Sequence, residues 1–399
     1  MTHYSSFRMI KRNLEGPLTA LAQQMPLVAV TGPRQSGKTT LCRATFPDKP
    51  YVTLEPLDVR SFATEDPRGF LAAYPDGAVL DEVQRAPDLF SYLQELVDER
   101  RESGLFILTG SQHFGLTEAI TQSLAGRIAM LHLLPPSLDE LQRFDRPPKD
   151  LFTTLWYGAY PRIHDRGLDP GRWLADYVTT YVQRDVRQLT NVTDLQAFTT
   201  FLRLAAGRTA NEVNLSALGG DAGVTHNTAR AWLSVLAASF VTFRAPAWRR
   251  NLRKQAIKAP KLHFFDSGLA CHLLGITEPE QLRHHPLRGA LFESWVASEI
   301  VKARAHAGMA PGVHHFRDAK GLEVDLVLEE EGILTATEVK SGATVASDFF
   351  RSLERLGEEL EAKLPHLTYR PRLVYGGAER QRRSDIDIIP WSAIQELAW

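Results

Sequence analysis

The run Gly32-Pro33-Arg34-Gln35-Ser36-Gly37-Lys38-Thr39 constrains this chain more than any other feature. It has the form GxxxxGK[ST], with the apolar stretch LVAVT before it and the helical pattern TTLCRATF after it. Such a loop works between a strand and a helix. Its glycines let the backbone curl so that successive N–H groups face phosphate oxygens, and the helix N-terminus adds the positive end of its dipole. Gly32, Pro33, Arg34, Gln35, Ser36, Gly37, Lys38, Thr39 and Thr40 are therefore the expected phosphate-binding residues. Lys38 places a compact cation on the β- and γ-phosphates, and the Thr39 hydroxyl is expected to ligate Mg2+.

The surroundings predict the fold of this part. From Leu27 to Leu134 the apolar runs LVAVT, YVTL, GAVLDE, GLFILTG and IAMLHLL alternate with helical patterns. Near-continuous apolar strands separated by helices indicate a parallel sheet covered on both faces. Ile10, Leu14, Leu18 and Leu21 predict an amphipathic helix ahead of it. The third run, Gly77 to Glu82, ends in two acids. After a phosphate loop, such a pair assigns the first carboxylate, Asp81, to Mg2+ and the second, Glu82, to the general base. A polar residue at the end of GLFILTGSQHF is expected at the γ-phosphate or the lytic water. Ser111 is preferred there over Thr109 and Gln112.

Composition sets the outer limits. A chain of 399 residues exceeds one core and predicts two or three domains. With 46 basic and 47 acidic residues there is no bulk attraction for nucleic acid, so any basic surface must be local. The cysteines Cys42 and Cys271 form no CxxC pair, which argues against a disulfide framework or a cysteine zinc site. No apolar run approaches the ~18 residues of a membrane helix, and the first residues lack a signal-type apolar core. A cytoplasmic protein with no membrane partner is expected.

The patterns GPRQ-GKTT, LDE-Q, LTGS and SLAGR together resemble the prokaryotic AAA-type ATPases. The resemblance covers residues 1 to 140 closely. The remainder looks like the C-terminal domain of uncharacterised function that commonly follows. It implies ATP binding and a homo-oligomer, with a hexamer as one form. It also implies that Arg127, in Ser123-Leu124-Ala125-Gly126-Arg127, is an arginine that reaches a neighbouring subunit's site.

Residues 211–238 have helix-turn-helix rhythm. A short helix around Leu215 to Leu218 is expected to break at Gly219-Gly220. Thr225 then caps a second helix, with Trp232, Leu233 and Leu236 inward and His226, Asn227, Arg230 and Ser234 on other faces. Two strand-like runs, SFVTFRA and KLHFFD, follow, as in a winged helix. The segment 244–261 between them carries Arg244, Arg249, Arg250, Arg253, Lys254, Lys258 and Lys261 with no acid. It is expected to neutralise DNA phosphates, with Trp248 available to stack on a base.

The last segment reads helix, three strands, helix, strand. Glu338 and Lys340 alternate along one strand and so share a face, and Asp325 on the adjacent strand can join them. Two carboxylates would hold Mg2+ and the lysine would act on water. Glu293 on the preceding helix is the expected fourth member, while His315 and Glu323 have no assigned role. Order and spacing resemble the restriction-endonuclease-like PD-(D/E)xK core.

The expected fold class is thus α/β, with a P-loop AAA-type ATPase core (1–135), a helical lid (136–194), a winged helix-turn-helix (195–275) and a restriction-endonuclease-like α/β domain (276–399). The expected function is a Mg2+-dependent ATPase that binds and remodels or processes DNA, with nuclease activity as a further expectation. The alternative is a nucleotide-dependent regulatory switch that binds protein partners and carries an inactive nuclease-like domain. A small-molecule kinase is disfavoured by the extra domains and by Arg127.

Overall fold

Five apolar segments form the sheet of the N-terminal part: β1 (Leu27–Thr31), β2 (Tyr51–Thr53), β3 (Ala78–Asp81), β4 (Phe106–Thr109) and β5 (Ile128–His132). The computed structural model describes residues 9–110, 123–182, 194–248, 259–318 and 320–399. It contains two compact units. One is Met1–Pro136 with Ala238–Phe240 and Ala305–Met309. The other is Ser137–Ala237, Val241–Arg304 and Ala310–Trp399.

In the first unit the strand order is β2-β3-β4-β1-β5, and every pairing is parallel. Because side chains alternate along a strand, Leu27 and Ala29 join Leu80, Phe106 and Leu108 in one core with Phe70, Leu89 and Phe90. Val28 and Val30 join Val79 and Ile107 in a second core with Leu14, Leu18 and Leu41. Burial on both faces is why these strands read as unbroken apolar runs. β4 lies between the strand that enters the phosphate loop and the strand that ends in acids. The amphipathic helix begins at Glu15, later than its apolar spacing predicts. Pro17 lacks an N–H and is tolerated only in a first turn, so the helix cannot run upstream through it.

The second unit opens with short helices, Leu151–Tyr157, Pro161–Arg166 and Pro170–Tyr177. Three of their aromatic residues, Tyr160, Trp173 and Tyr177, pack together. Then come the helix Leu195–Ala206, β6 (Asn211–Glu212), the helices Leu215–Asp221 and His226–Ala238, β7 (Thr242–Ala245) and β8 (Lys261–Phe264). The three strands form an antiparallel sheet in the order β6-β8-β7. The helix Leu215–Asp221 is not broken at Gly219-Gly220, as the sequence suggests, but runs through both. Gly219 is needed for close approach, since a Cβ there would lie 2.9 Å from the Val224 carbonyl oxygen. The turn comes at Gly223, with φ 72°.

The rest of this unit comprises the helix Arg288–His306, β9 (His314–Arg317), β10 (Glu323–Glu330), β11 (Ile333–Lys340), the helix Arg351–Lys363, β12 (Thr368–Tyr375), β13 (Gln381–Arg383) and β14 (Ile386–Pro390). The sheet order is β13-β14-β12-β11-β10-β9. β9, β10 and β11 form an antiparallel meander, and the helix Arg351–Lys363 crosses over so that β12 runs parallel to β11. Its leucines 353, 356 and 360 recur at helical spacing and pack on Leu334, Ala336 and Leu373. β6 and β13 are elements that apolar patterning does not disclose: β6 is two residues long, and β13 is largely polar.

Candidate functional site: a phosphate loop and an acid-ended strand

The phosphate loop curls as its glycines allow. Gly32 has φ 150°, and a Cβ there would lie 2.2 Å from the Leu133 carbonyl oxygen. Gly37, which precedes the helix Lys38–Thr45, has φ 94°, and Gln35 also lies in the left-handed region at φ 63°. At Gly37, the N-cap of that helix, a Cβ would meet nothing nearer than the Arg12 guanidinium at 3.8 Å, and this opening at a helix N-terminus fits a bound phosphate group. Lys38 is buried beneath this curl, and its Nζ donates to the Gly32 oxygen at 3.1 Å and the Pro33 oxygen at 2.8 Å. Burial pushes its pKa down to about 8 against the opposing pull of Glu82 and Asp81.

Asp81, at the end of β3, is the centre of the site. Its Oδ2 accepts from the Thr39 hydroxyl at 2.9 Å and the Tyr51 hydroxyl at 2.6 Å. Its Oδ1 accepts from the Thr109 hydroxyl and, at 3.1 Å, from the Glu82 N–H. Four neighbours thus orient one carboxylate, with the hydroxyl of the phosphate-loop helix among them. Tyr51's phenol is raised in pKa by burial and by its bond to Asp81. Glu82 has φ 57°, uncommon for a residue with a Cβ, and its Oε2 accepts from Gln84 Nε2 at 2.5 Å. Strain of this kind is stored at sites where a side chain must be aimed.

The structure brings Lys38, Thr39, Asp81 and Glu82 into one electrostatic neighbourhood, with Thr109 from the next strand. Ser111 and Gln112 lie outside the described residues. Arg127 falls at the other end of the sheet. Its neighbour Ile128 pairs with Leu27 at the start of β1, whereas the phosphate loop follows the end of β1. Five strand residues separate those ends by ~15 Å. Arg127 is partly exposed and forms a two-point ion pair with Asp98, Nε to Oδ1 at 2.5 Å and Nη2 to Oδ2 at 2.8 Å.

Three contributors had no role assigned from the sequence. Arg12 is buried, and its guanidinium donates to the Ser36 oxygen at 2.9 Å and the Leu134 oxygen at 2.8 Å, joining the N-terminal segment to the loop. Tyr51 stands in the short run YVTL, and Gln84 is the unassigned glutamine of LDE-Q. A lone polar residue beside an apolar run gives no signal of its own, and only packing shows that it meets a loop far away in sequence.

The C-terminal candidates in the second unit also come together, around a residue not expected there. Lys261 Nζ lies 2.8 Å from Glu293 Oε1, 2.8 Å from Glu323 Oε1 and 3.7 Å from Asp325 Oδ1. Lys340 Nζ lies 2.6 Å from Glu338 Oε1 and 3.8 Å from Asp325 Oδ2. Burial raises the Glu293 carboxyl well above its ordinary range, and burial with the Asp325 charge pushes Glu338 up to about 8. The acids around Lys261 overcome the effect of its burial and raise its pKa. Among the described residues no group of three or more His, Cys, Asp or Glu side chains is arranged to hold a metal ion. Asp325, Glu338 and Glu293 each face a lysine in this cluster.

Two assignments in the 244–261 segment need correction. Lys261 is buried in this acid cluster, not exposed to a polyanion. Trp248 packs in the core with Val324 and Leu334 and donates Nε1–H to Glu329 at 2.8 Å, so its ring is not free to stack on a base. Arg244 is exposed, while Arg249, Arg250, Arg253, Lys254 and Lys258 lie outside the described residues. The Thr228 N–H donates to Thr225 Oγ1 at 3.2 Å, Trp232, Leu233 and Leu236 are buried, and Asn227 and Arg230 are exposed.

Comparison with known proteins agrees with the first site. Residues 24–142 match an AAA domain, residues 148–280 a domain of unknown function (DUF8612), and residues 288–394 another (DUF4143). Uncharacterized proteins from Mycobacterium tuberculosis and Mycobacterium bovis are each 30% identical over 346 residues, covering 84% of this chain and 74% of theirs. Among solved structures, the Walker-type ATPase of Pyrococcus abyssi aligns at 16% identity over 68% of this chain and 99% of that one, with a TM-score of 0.45. AMPPCP-bound DnaA from Aquifex aeolicus aligns at 13% identity over 56% of this chain and 85% of that one, with a TM-score of 0.29. The chain belongs to one family with these mycobacterial proteins, and its residues 24–142 are a P-loop AAA-type ATPase domain, with which the glycine curl over Lys38, the Thr39 hydroxyl on Asp81 and the all-parallel sheet agree.

Proposed function

We propose that this protein is a Mg2+-dependent ATPase that uses hydrolysis to bind and remodel DNA as a homo-oligomer. The observation that carries the first part is the 2.9 Å bond from the Thr39 hydroxyl to Asp81, which joins the phosphate-loop helix to the acid-ended strand. The loop N–H groups and Lys38 hold the triphosphate. Thr39 and Asp81 would hold Mg2+, which would offset phosphate charge. Glu82, aimed by its backbone and by Gln84, takes the proton of the attacking water. Ser111, two residues after Thr109 in the sequence, is proposed to act at the γ-phosphate. Arg127, too far from its own loop, is proposed to leave Asp98 and stabilise charge in a neighbouring subunit's site.

The DNA part rests on topology and charge. Helix, strand, two helices and two strands, with the sheet order β6-β8-β7, is the plan of a winged helix. Asn227 and Arg230 face outward from the helix that would enter a groove, and Arg244 is exposed on β7, ahead of the basic segment that leads to β8. The six-stranded sheet with its crossover helix follows the plan of the restriction-endonuclease-like fold. It is proposed as a DNA-holding module. Cleavage is not part of this reading, because Lys261 stands among its acids.

ATP turnover with and without single-stranded, duplex and branched DNA tests the proposal. DNA-stimulated hydrolysis is the expected result. Steady turnover with no response to any DNA form would instead favour a nucleotide-dependent switch acting on protein partners.

A further inference from the structure

The acid cluster of the six-stranded sheet has the residue order of a metal-dependent nuclease and a different occupant. Asp325 lies beside the irregularity in β10 between Val324 and Val327, where the pairing with β9 shifts register. Its Oδ1 faces Lys261 at 3.7 Å, while its Oδ2 accepts the Val339 N–H at 2.8 Å and faces Lys340 at 3.8 Å. Asp325 thus lies between two lysines, one on either side. Glu293 and Glu323 each place an oxygen 2.8 Å from the Lys261 ammonium, a charge-assisted distance. Lys261 is only 3% exposed, so solvent does not compete for it. An octahedral Mg2+ takes oxygens at 2.0–2.1 Å and keeps several waters. The ammonium stands where that ion and its waters would need to be.

We infer that Lys261, delivered by β8, is a resident cation that takes the place of a divalent ion among Glu293, Glu323 and Asp325, making this cluster an internal ion network and not a hydrolytic centre. Three consequences follow from the geometry. The ammonium supplies positive charge among these acids without a metal. The network ties β8, of the small three-stranded sheet, to β10 and to the helix Arg288–His306. Removing the ammonium alone leaves clustered, poorly solvated carboxylates, a ligand set that a divalent ion can then enter. The inference goes beyond the ATPase reading and shares no residue with it, so each can fail alone.

The test is Mn2+ binding to nucleotide-free, full-length protein, followed by the electron-paramagnetic-resonance signal of the free ion. Wild type, Asp325→Asn, Lys261→Met and the Lys261→Met/Asp325→Asn double variant are compared, with folding checked by circular dichroism. Wild type and Asp325→Asn should bind Mn2+ alike. Lys261→Met should gain one Mn2+ equivalent, and the double variant should lose it. A wild-type site weakened about tenfold or more by Asp325→Asn overturns the inference, as does a folded Lys261→Met protein that gains no Mn2+. Should Lys261→Met fail to fold, the wild-type comparison decides by itself, with Glu323→Gln as a second variant of the same cluster.

Discussion

Lys38 shows how a single residue here serves two opposed demands. Its ammonium must meet phosphate, yet the loop buries it against carbonyl oxygens and holds its pKa near about 8. Below that value the lysine is charged in both folded and unfolded chains, and its burial opposes folding. Between the folded value and the higher unfolded one the unfolded chain binds more protons, so stability rises with pH as the opposition fades. ATP binding has the reverse trend, because the phosphates need the charged form. Affinity should fall as pH rises through about 8, and at about pH 8.5 binding should take up a proton. Calorimetry in two buffers of different ionisation enthalpy reads that proton directly; no uptake and a flat affinity profile would contradict the buried-lysine picture. Lys38→Ala should lose about tenfold to a hundredfold or more in ATP affinity at neutral pH. Glu82→Gln is a different case: the amide keeps the shape but cannot accept a proton. It should bind ATP with Mg2+ near normally and hydrolyse roughly a hundredfold or more slowly. If equilibrium binding is lost in that variant while Asp81→Asn binds normally, the roles of the two acids are exchanged.

Among the elements, β3 depends on how it starts. Gly77 has φ 78°, and a Cβ there would lie 1.6 Å from the Leu105 carbonyl oxygen, so the turn into the strand admits no side chain. Gly77→Ala should cost about 2 kcal/mol or more by chemical denaturation, combining left-handed strain with backbone collision. A neutral result would mean that the turn can be rebuilt without loss. The winged-helix proposal meets its own test in the segment after β7. Charge reversal at Arg249, Arg250 and Arg253 should weaken DNA binding for every sequence and flatten its salt dependence, as expected of phosphate contacts. Unchanged affinity and salt slope would leave the segment as solvated surface. Strands buried on both faces were legible as apolar runs, and the amphipathic helix Arg351–Lys363 by its leucine spacing. β6 and β13 were not, because a short or polar strand owes its existence to partners distant in sequence.

For the whole molecule the question is whether ATP sites are completed between copies of the chain. Arg127 and the phosphate loop sit at opposite ends of β1, so a subunit cannot bring its own Arg127 to its own nucleotide without rebuilding the sheet. Arg127→Ala should bind ATP but hydrolyse it about a hundredfold or more slowly, and mixing it with Lys38→Ala subunits should restore part of the activity. Full turnover by a strictly monomeric wild type, judged by mass measurement under assay conditions, removes the shared-site idea. By itself, the sequence determined the phosphate loop, the acid-ended strand and the parallel sheet between them. Those features are local: a glycine curl, a run of apolar residues and a terminal carboxylate each carry their chemistry within a few positions. Only the tertiary structure decided which side chains aim those groups and which cation fills the second cluster. Arg12 reaches Ser36, Tyr51 reaches Asp81, and Lys261 reaches Glu293, Glu323 and Asp325 across wide stretches of chain. Lys261 belonged by sequence to a basic segment suited to DNA. Folding buried it among acids instead, because electrostatic pairing depends on distance in space and the sequence records only distance along the chain.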